Sequence, residues 1–120
     1  MASHPIVHVD IPAENREAAA QFYSTVFGWQ VQQMPEMNYA TFQADGGPAG
    51  GFPPVGEDMA EPNRVVVYIG TDDLKSTLDQ VKANGGTVVM PPDEIPGGYG
   101  WLAFFKDPTG NHIGLFSEKG

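Results

Sequence analysis

The chain has 120 residues, 41% hydrophobic and 18% charged, which suits one compact domain and leaves little room for a second independent core. Six basic against 15 acidic residues leave a net charge of −9, a field that repels phosphate backbones and anionic lipid and argues against nucleic-acid and membrane partners. The absence of cysteine excludes disulfides, thiolate nucleophiles and Cys-held zinc or iron–sulfur sites, so any chemistry falls to His, carboxylates, Tyr or a metal on N and O ligands.

Met1 to Pro5 lack the basic start and apolar core of a secretion signal, and no apolar run approaches the roughly 20 residues of a membrane span. A cytoplasmic location is expected. Alternation in Ile6-Val7-His8-Val9-Asp10-Ile11 predicts a half-buried strand with Val7, Val9 and Ile11 on one face and Ile6, His8 and Asp10 on the other. Pro12 ends it. From Asn15 to Phe27 the apolar residues Ala18, Ala19, Phe22, Tyr23, Val26 and Phe27 recur at helical spacing, with Asn15 as N-cap and Gly28 as stop. A strand starting at Trp29, a strand from Tyr39 to Gln43, and a short one over Ala49 to Phe52 after the Asp45-Gly46-Gly47 turn complete a βαβββ unit over about 5–52.

Residues 53–63, with three prolines and the acidic Glu57, Asp58 and Glu61, read as a solvated connector. The pattern then restarts over about 64–117. Arg64 to Ile69 is a β-branched strand. Asp72 or Asp73 caps a helix whose Leu74, Leu78 and Val81 share a stripe, and Gly85-Gly86 ends it. Strands follow at Thr87 to Met90, Trp101 to Phe105 and His112 to Phe116. A constant offset lays His8 on Val66, Asn15 on Asp73 and Gly28 on Gly86, so the chain carries an internal repeat. The expected fold is α+β: a single domain, 1–120, of two tandem βαβββ units whose mixed sheets enclose a cleft between their helix-free faces.

The opening His8-x-x-Ile11-Pro12, the Phe22-Tyr23 and Phe27-Gly28-Trp29 run, the Asp72-Asp73-Leu74 helix start and Asp107-Pro108-Thr109-Gly110-Asn111 resemble the vicinal oxygen chelate superfamily. That is the glyoxalase, bleomycin-resistance and extradiol-dioxygenase fold. The resemblance spans nearly the whole chain. It implies four metal-ligand positions, two per unit: His or Gln on the first strand and Glu on the last. Here these fall on His8, Val66, Gly51 and Gly114, so one imidazole remains and the metal site of the family is not expected. No cofactor is expected, with a divalent metal as the disfavoured alternative.

With His8 turned into the cleft, Asp10 joins it, Val66 brings Tyr68, and Gly114 brings His112. His8, Asp10 and Tyr68 are then candidate catalytic residues, supplying a base and hydrogen-bond donors. Tyr39, Thr41, Gly51, Val66, Trp101, Phe105, His112 and Gly114 are the candidate ligand-binding residues, an aromatic wall in which the two glycines leave extra space. The segments 34–37 and 91–100 are candidate covers for the cleft. The leading reading is a metal-independent protein binding a small apolar or aromatic molecule, and a homodimer is expected from the resemblance. One alternative is a divalent-metal-dependent lyase, isomerase or dioxygenase rebuilt around His8. Another is an antibiotic-sequestering protein that holds a cationic drug by charge.

Overall fold

The computed structural model describes residues 4–44, 46–55 and 64–120. Asp45 of the predicted turn and residues 56–63 of the predicted connector, including Glu57, Asp58 and Glu61, lie outside the described residues. Two compact units emerge: His8–Val66, the first, and Val67–Gly120 together with the leading residues through Val7, the second.

The first unit is built from β1 (Ile6–Asp10), α1 (Arg16–Phe27), β2 (Gln30–Met34), a 3-10 turn (Pro35–Met37), β3 (Tyr39–Gln43) and β4 (Ala49–Gly51). The second runs β5 (Val66–Gly70), α2 (Leu74–Ala83), β6 (Thr87–Ile95), β7 (Gly100–Lys106) and β8 (His112–Ser117), the boundaries between the units falling inside β1, after Val7, and inside β5, after Val66. Both obey one topology. In each, the first strand lies parallel to the last, which pairs antiparallel with the third, which pairs antiparallel with the second, giving the orders β2-β3-β4-β1 and β6-β7-β8-β5.

The helix ends follow the predicted chemistry. Asn15 accepts a hydrogen bond from the Ala18 amide at 2.9 Å, Glu17 sits in the first turn, and Gly28 closes α1 at φ 73°. Asp73, rather than Asp72, caps α2 by accepting from the Ser76 amide at 3.0 Å. Neither helix is long and apolar enough to cross a membrane.

Two predicted loops are ordered structure. The 34–37 segment is the 3-10 turn, closed by the Asn38 amide donating to the Pro35 carbonyl at 3.1 Å. The 91–100 segment is largely strand: β6 continues through Pro91 and Pro92 to Ile95, pairing Asp93 with Leu102 and Ile95 with Gly100. Prolines ordinarily demote a strand because they lack the ladder N–H. Here β6 ends the row of four strands, and register shifts around Met90 take up the mismatch.

The helix-side cores differ in composition. In the first unit Tyr23 of α1 stacks on Trp29 (4.9 Å between centroids) and on Phe52 (5.6 Å), and Trp29 stacks on Phe42 (4.4 Å). Ala40, Phe42 and Phe52 are buried, with Val9 and Ile11 of the first strand region packed on them. In the second unit Leu74 and Leu78 of α2 meet Ala103 and Leu115, flanked by Ile69, Val88, Trp101 and Phe105. Only part of the apolar stripe of α1 is used, since Phe22, Val26 and Phe27 stay more than half exposed.

Candidate functional site

Alternation along β1 sends Val9 to the helix side and His8 and Asp10 to the helix-free face. On β3 the buried pair Ala40 and Phe42 fixes the parity, so Tyr39 and Thr41 share that helix-free face. The result is a closed triangle of side chains. His8 Nε2 lies 2.8 Å from Asp10 Oδ1, the Tyr39 hydroxyl donates to the same Oδ1 at 2.8 Å, and Nε2 lies 3.0 Å from the Tyr39 hydroxyl. With the Tyr39 proton committed to Asp10, the carboxylate selects the Nε2–H tautomer of His8 and places the imidazole lone pair on Nδ1. Asp10 is the more sheltered partner, its side chain 13% exposed against 31% for His8.

Tyr39 reaches Asp10 from two strands away because Gly51 lies between them. Gly51 pairs with Asp10 on one side and Thr41 on the other, and a Cβ at 51 would fall within the phenol ring of Tyr39. The extra space expected at Gly51 is therefore occupied. The same holds in the second unit, where Gly114 pairs with Tyr68 and a Cβ at 114 would run into the Tyr68 ring. A glycine in each unit is the seat of a tyrosine.

A groove of about 470 Å³ opens beside His8 on the first unit, lined by the polar Gln30, Gln32, Thr41 and Gln43 and by Val31, Phe42, Ala49 and Gly50. In the second unit Tyr68 meets Phe104 edge-on at 5.6 Å, and His112 stacks on Phe104 at 5.0 Å. The predicted face of β7 requires correction. Phe104 lies opposite Gly114 and shares its face, whereas Ala103 lies opposite Leu115 on the α2 side. Trp101 and Phe105 follow Ala103 and pack against the core under α2, so they do not stand with Tyr68 and Gly114. Val66 is buried, at 6% exposure. Phe104, on the helix-free face of the second unit, and the three glutamines beside His8 on the first are the residues that sequence reasoning missed. The glutamines carried a signal, alternating with Val31 and Phe42 on β2 and β3.

The family model for the glyoxalase/bleomycin resistance protein/dioxygenase superfamily matches residues 5–115. The chain belongs to that superfamily. Its relatives include a glyoxylase-like domain-containing protein of Didymella fabae, 32% identical over 93% of this chain and 92% of that protein. CFP32 of Mycobacterium bovis is 32% identical over 92% of this chain, which spans 44% of the length of that relative. Among solved structures, the Mn(II)-bound glyoxalase from Novosphingobium aromaticivorans superposes with a TM-score of 0.69 at 20% identity, covering 94% of this chain and 38% of that one. This last likeness concerns the fold.

The four-ligand metal set implied by the superfamily does not fit these residues. Gly51 and Gly114 offer no donor, and tyrosine rings occupy the volume a side chain there would need. Val66 offers an isopropyl group. Among the described residues no three His, Asp or Glu side chains form a metal-holding group.

Proposed function

We propose that the chain binds a small molecule against the helix-free face of its first βαβββ unit and exchanges a proton with it through His8. It acts without the four-ligand metal centre of the superfamily, in the cytoplasm, as a homodimer. The observation that carries this reading is the closed His8–Asp10–Tyr39 triangle, with edges of 2.8, 2.8 and 3.0 Å. A base needs a fixed tautomer and a nearby negative charge to stabilise its protonated form, and Asp10 supplies both. Tyr39 holds Asp10 in place.

The test needs no knowledge of the natural substrate. Dihydroxyacetone in D₂O reports proton abstraction through loss of its C–H signal in the NMR spectrum. We expect exchange faster than in buffer, falling roughly 10²–10⁴-fold in His8→Gln. Exchange no faster than in buffer, or unchanged in His8→Gln, overturns the reading.

The same triangle favours a second reading. Adjacent donors on a six-coordinate divalent ion at about 2.1 Å stand about 3 Å apart, close to the separations seen here. A rebuilt site on His8, Asp10 and Tyr39 would belong to a metal-dependent lyase, isomerase or dioxygenase. One Mn²⁺ or Zn²⁺ per chain, retained through dialysis and lost in His8→Ala, selects it; no retained metal removes it.

A further inference from the structure

The face around the triangle carries a selection of its own. β2, β3 and β4 read QVQQM, YATFQ and AGG, and the alternate residues they turn to this face, from Gln30 to Gly51, include no Asp, Glu, Lys or Arg in a chain that is 18% charged. The second unit has no such gap: β6 carries Asp93 and Glu94, and β7 ends in Lys106. A sheet face meant only for water tolerates charges readily, and charged side chains at strand edges protect against aggregation. The charge-free stretch coincides with the groove beside His8.

Strand register arranges the polar groups of that groove in rows. Gln30 lies opposite Gln43, and Gln32 lies opposite Thr41. Further across the sheet, Thr41 lies opposite Gly51 and Gly51 opposite Asp10, while Ala49 lies opposite His8. Cross-strand neighbours stand about 5 Å apart and successive same-face residues about 7 Å apart. The small residue Ala49 keeps the floor low between the amides and His8, while the Tyr39 ring covers Gly51. Each amide offers both a donor and an acceptor, and Thr41 adds a hydroxyl.

We infer that the ligand of this site is an uncharged, polyoxygenated small molecule. Its hydroxyl or carbonyl groups are held by Gln30, Gln32, Gln43 and Thr41, with one oxygen-bearing carbon presented to His8. This rests on the proposed function and narrows it. An anionic group finds no Lys or Arg among the groove residues, and His8, which lines the groove, already has the Asp10 carboxylate 2.8 Å away. A purely apolar ligand would bury the amides without partners, at a cost for each. The grid suits a compound with polar groups on opposite sides of a ring or short chain.

The experiment is an NMR titration of the ¹⁵N-labelled chain with dihydroxyacetone, and in parallel with dihydroxyacetone phosphate and pyruvate. The side-chain amides of Gln30, Gln32 and Gln43 and the imidazole of His8 are the reporters. The expected result is that the neutral probe shifts both groups of signals, with each anionic probe at least tenfold weaker. In Gln43→Lys the phosphate should gain at least tenfold over wild type while the neutral probe weakens. An anionic probe binding wild type as well as the neutral one overturns the inference. So does a shift of His8 without the glutamine amides, which leaves the proton-exchange reading standing. If no probe moves either group, the site itself is refuted and the inference falls with it.

Discussion

In the first unit the helix side of the sheet is filled with rings, Tyr23, Trp29, Phe42 and Phe52, and the helix-free face carries amides and the His8–Asp10–Tyr39 triangle. In the second the buried centre of the helix side is aliphatic, with Leu74, Leu78 and Leu115 on Ala103 and Trp101 and Phe105 at its margin, and the rings of Tyr68, Phe104 and His112 lie on the other face. Yet strand order, pairing sense, the side-chain N-caps of the helices and even the glycine beneath a tyrosine repeat. What the fold demands is hydrogen-bond register, capping and apolar volume under each helix. Which apolar residues supply that volume, and what the opposite face displays, is left to function. The His8–Asp10–Tyr39 triangle is what the first unit displays there.

The largest expected effects test whether the two cores hold by different means. Phe42→Ala should cost about 3–5 kcal/mol and Leu115→Ala about 2–5 kcal/mol, read by urea unfolding. The sharper experiment is shape. Stacked rings contribute about 0.5–1.5 kcal/mol beyond area burial, so Phe42→Leu should cost more than Leu115→Met, which stays under about 1.5 kcal/mol. Equal losses would mean that ring geometry in the first unit is only volume.

The glycine seats give the next effect and probe what the units share. Gly51→Ala should displace the Tyr39 ring and cost about 1–3 kcal/mol by overpacking, with Gly114→Ala doing the same through Tyr68. Neither glycine takes a left-handed backbone, so the cost is steric. In Tyr39→Ala and Tyr68→Ala backgrounds the respective penalties should vanish, a coupling that double-mutant cycles measure directly. Independent, additive losses in either unit would break the parallel between them.

These particulars show what the sequence makes legible. Asn15, Gly28 and Asp73 mark helix ends because caps are local chemistry, and the repeat made the second unit readable from the first. His8 and Asp10 were placed on one face because β1 alternates cleanly. Trp101-Leu102-Ala103-Phe104-Phe105 is apolar in both phases, so its parity is invisible until Ala103 is seen beneath Leu74 and Leu78. The bond from Tyr39 to Asp10 was out of reach for another reason. It spans two strands through the gap at Gly51, and that glycine read as lost charge and added space rather than as a seat. Pro91 and Pro92 hid the outer half of β6, where the end of the strand row tolerates them.

The smallest effect concerns the turns before each last strand. In the second unit Asp107 gathers that turn on one carboxylate: Oδ1 accepts from the Thr109 amide, the Thr109 hydroxyl and the Asn111 amide, and Oδ2 from the Asn111 side chain, each at 2.9 Å. The bonds from Asn111, then those from Thr109, lower its pKa from 3.8 to about 2. The first unit's connection runs instead through Gly46 and Gly47, both at positive φ. A carboxylate with a depressed folded pKa contributes its stability in full above the unfolded value and loses it as pH falls through the folded one. The turn after β7 should therefore hold at pH 4 and loosen between 3.8 and about 2. The backbone amides of Thr109 and Asn111 should lose exchange protection over that interval. Asp107→Asn should abolish the pH dependence while leaving the amides of Gly46 and Gly47 unaffected. Because the carboxylate is fully exposed, global stability should barely move, and the site-resolved amides are the measurement that decides. The same pH dependence in Asp107→Asn would assign the transition to some other carboxylate.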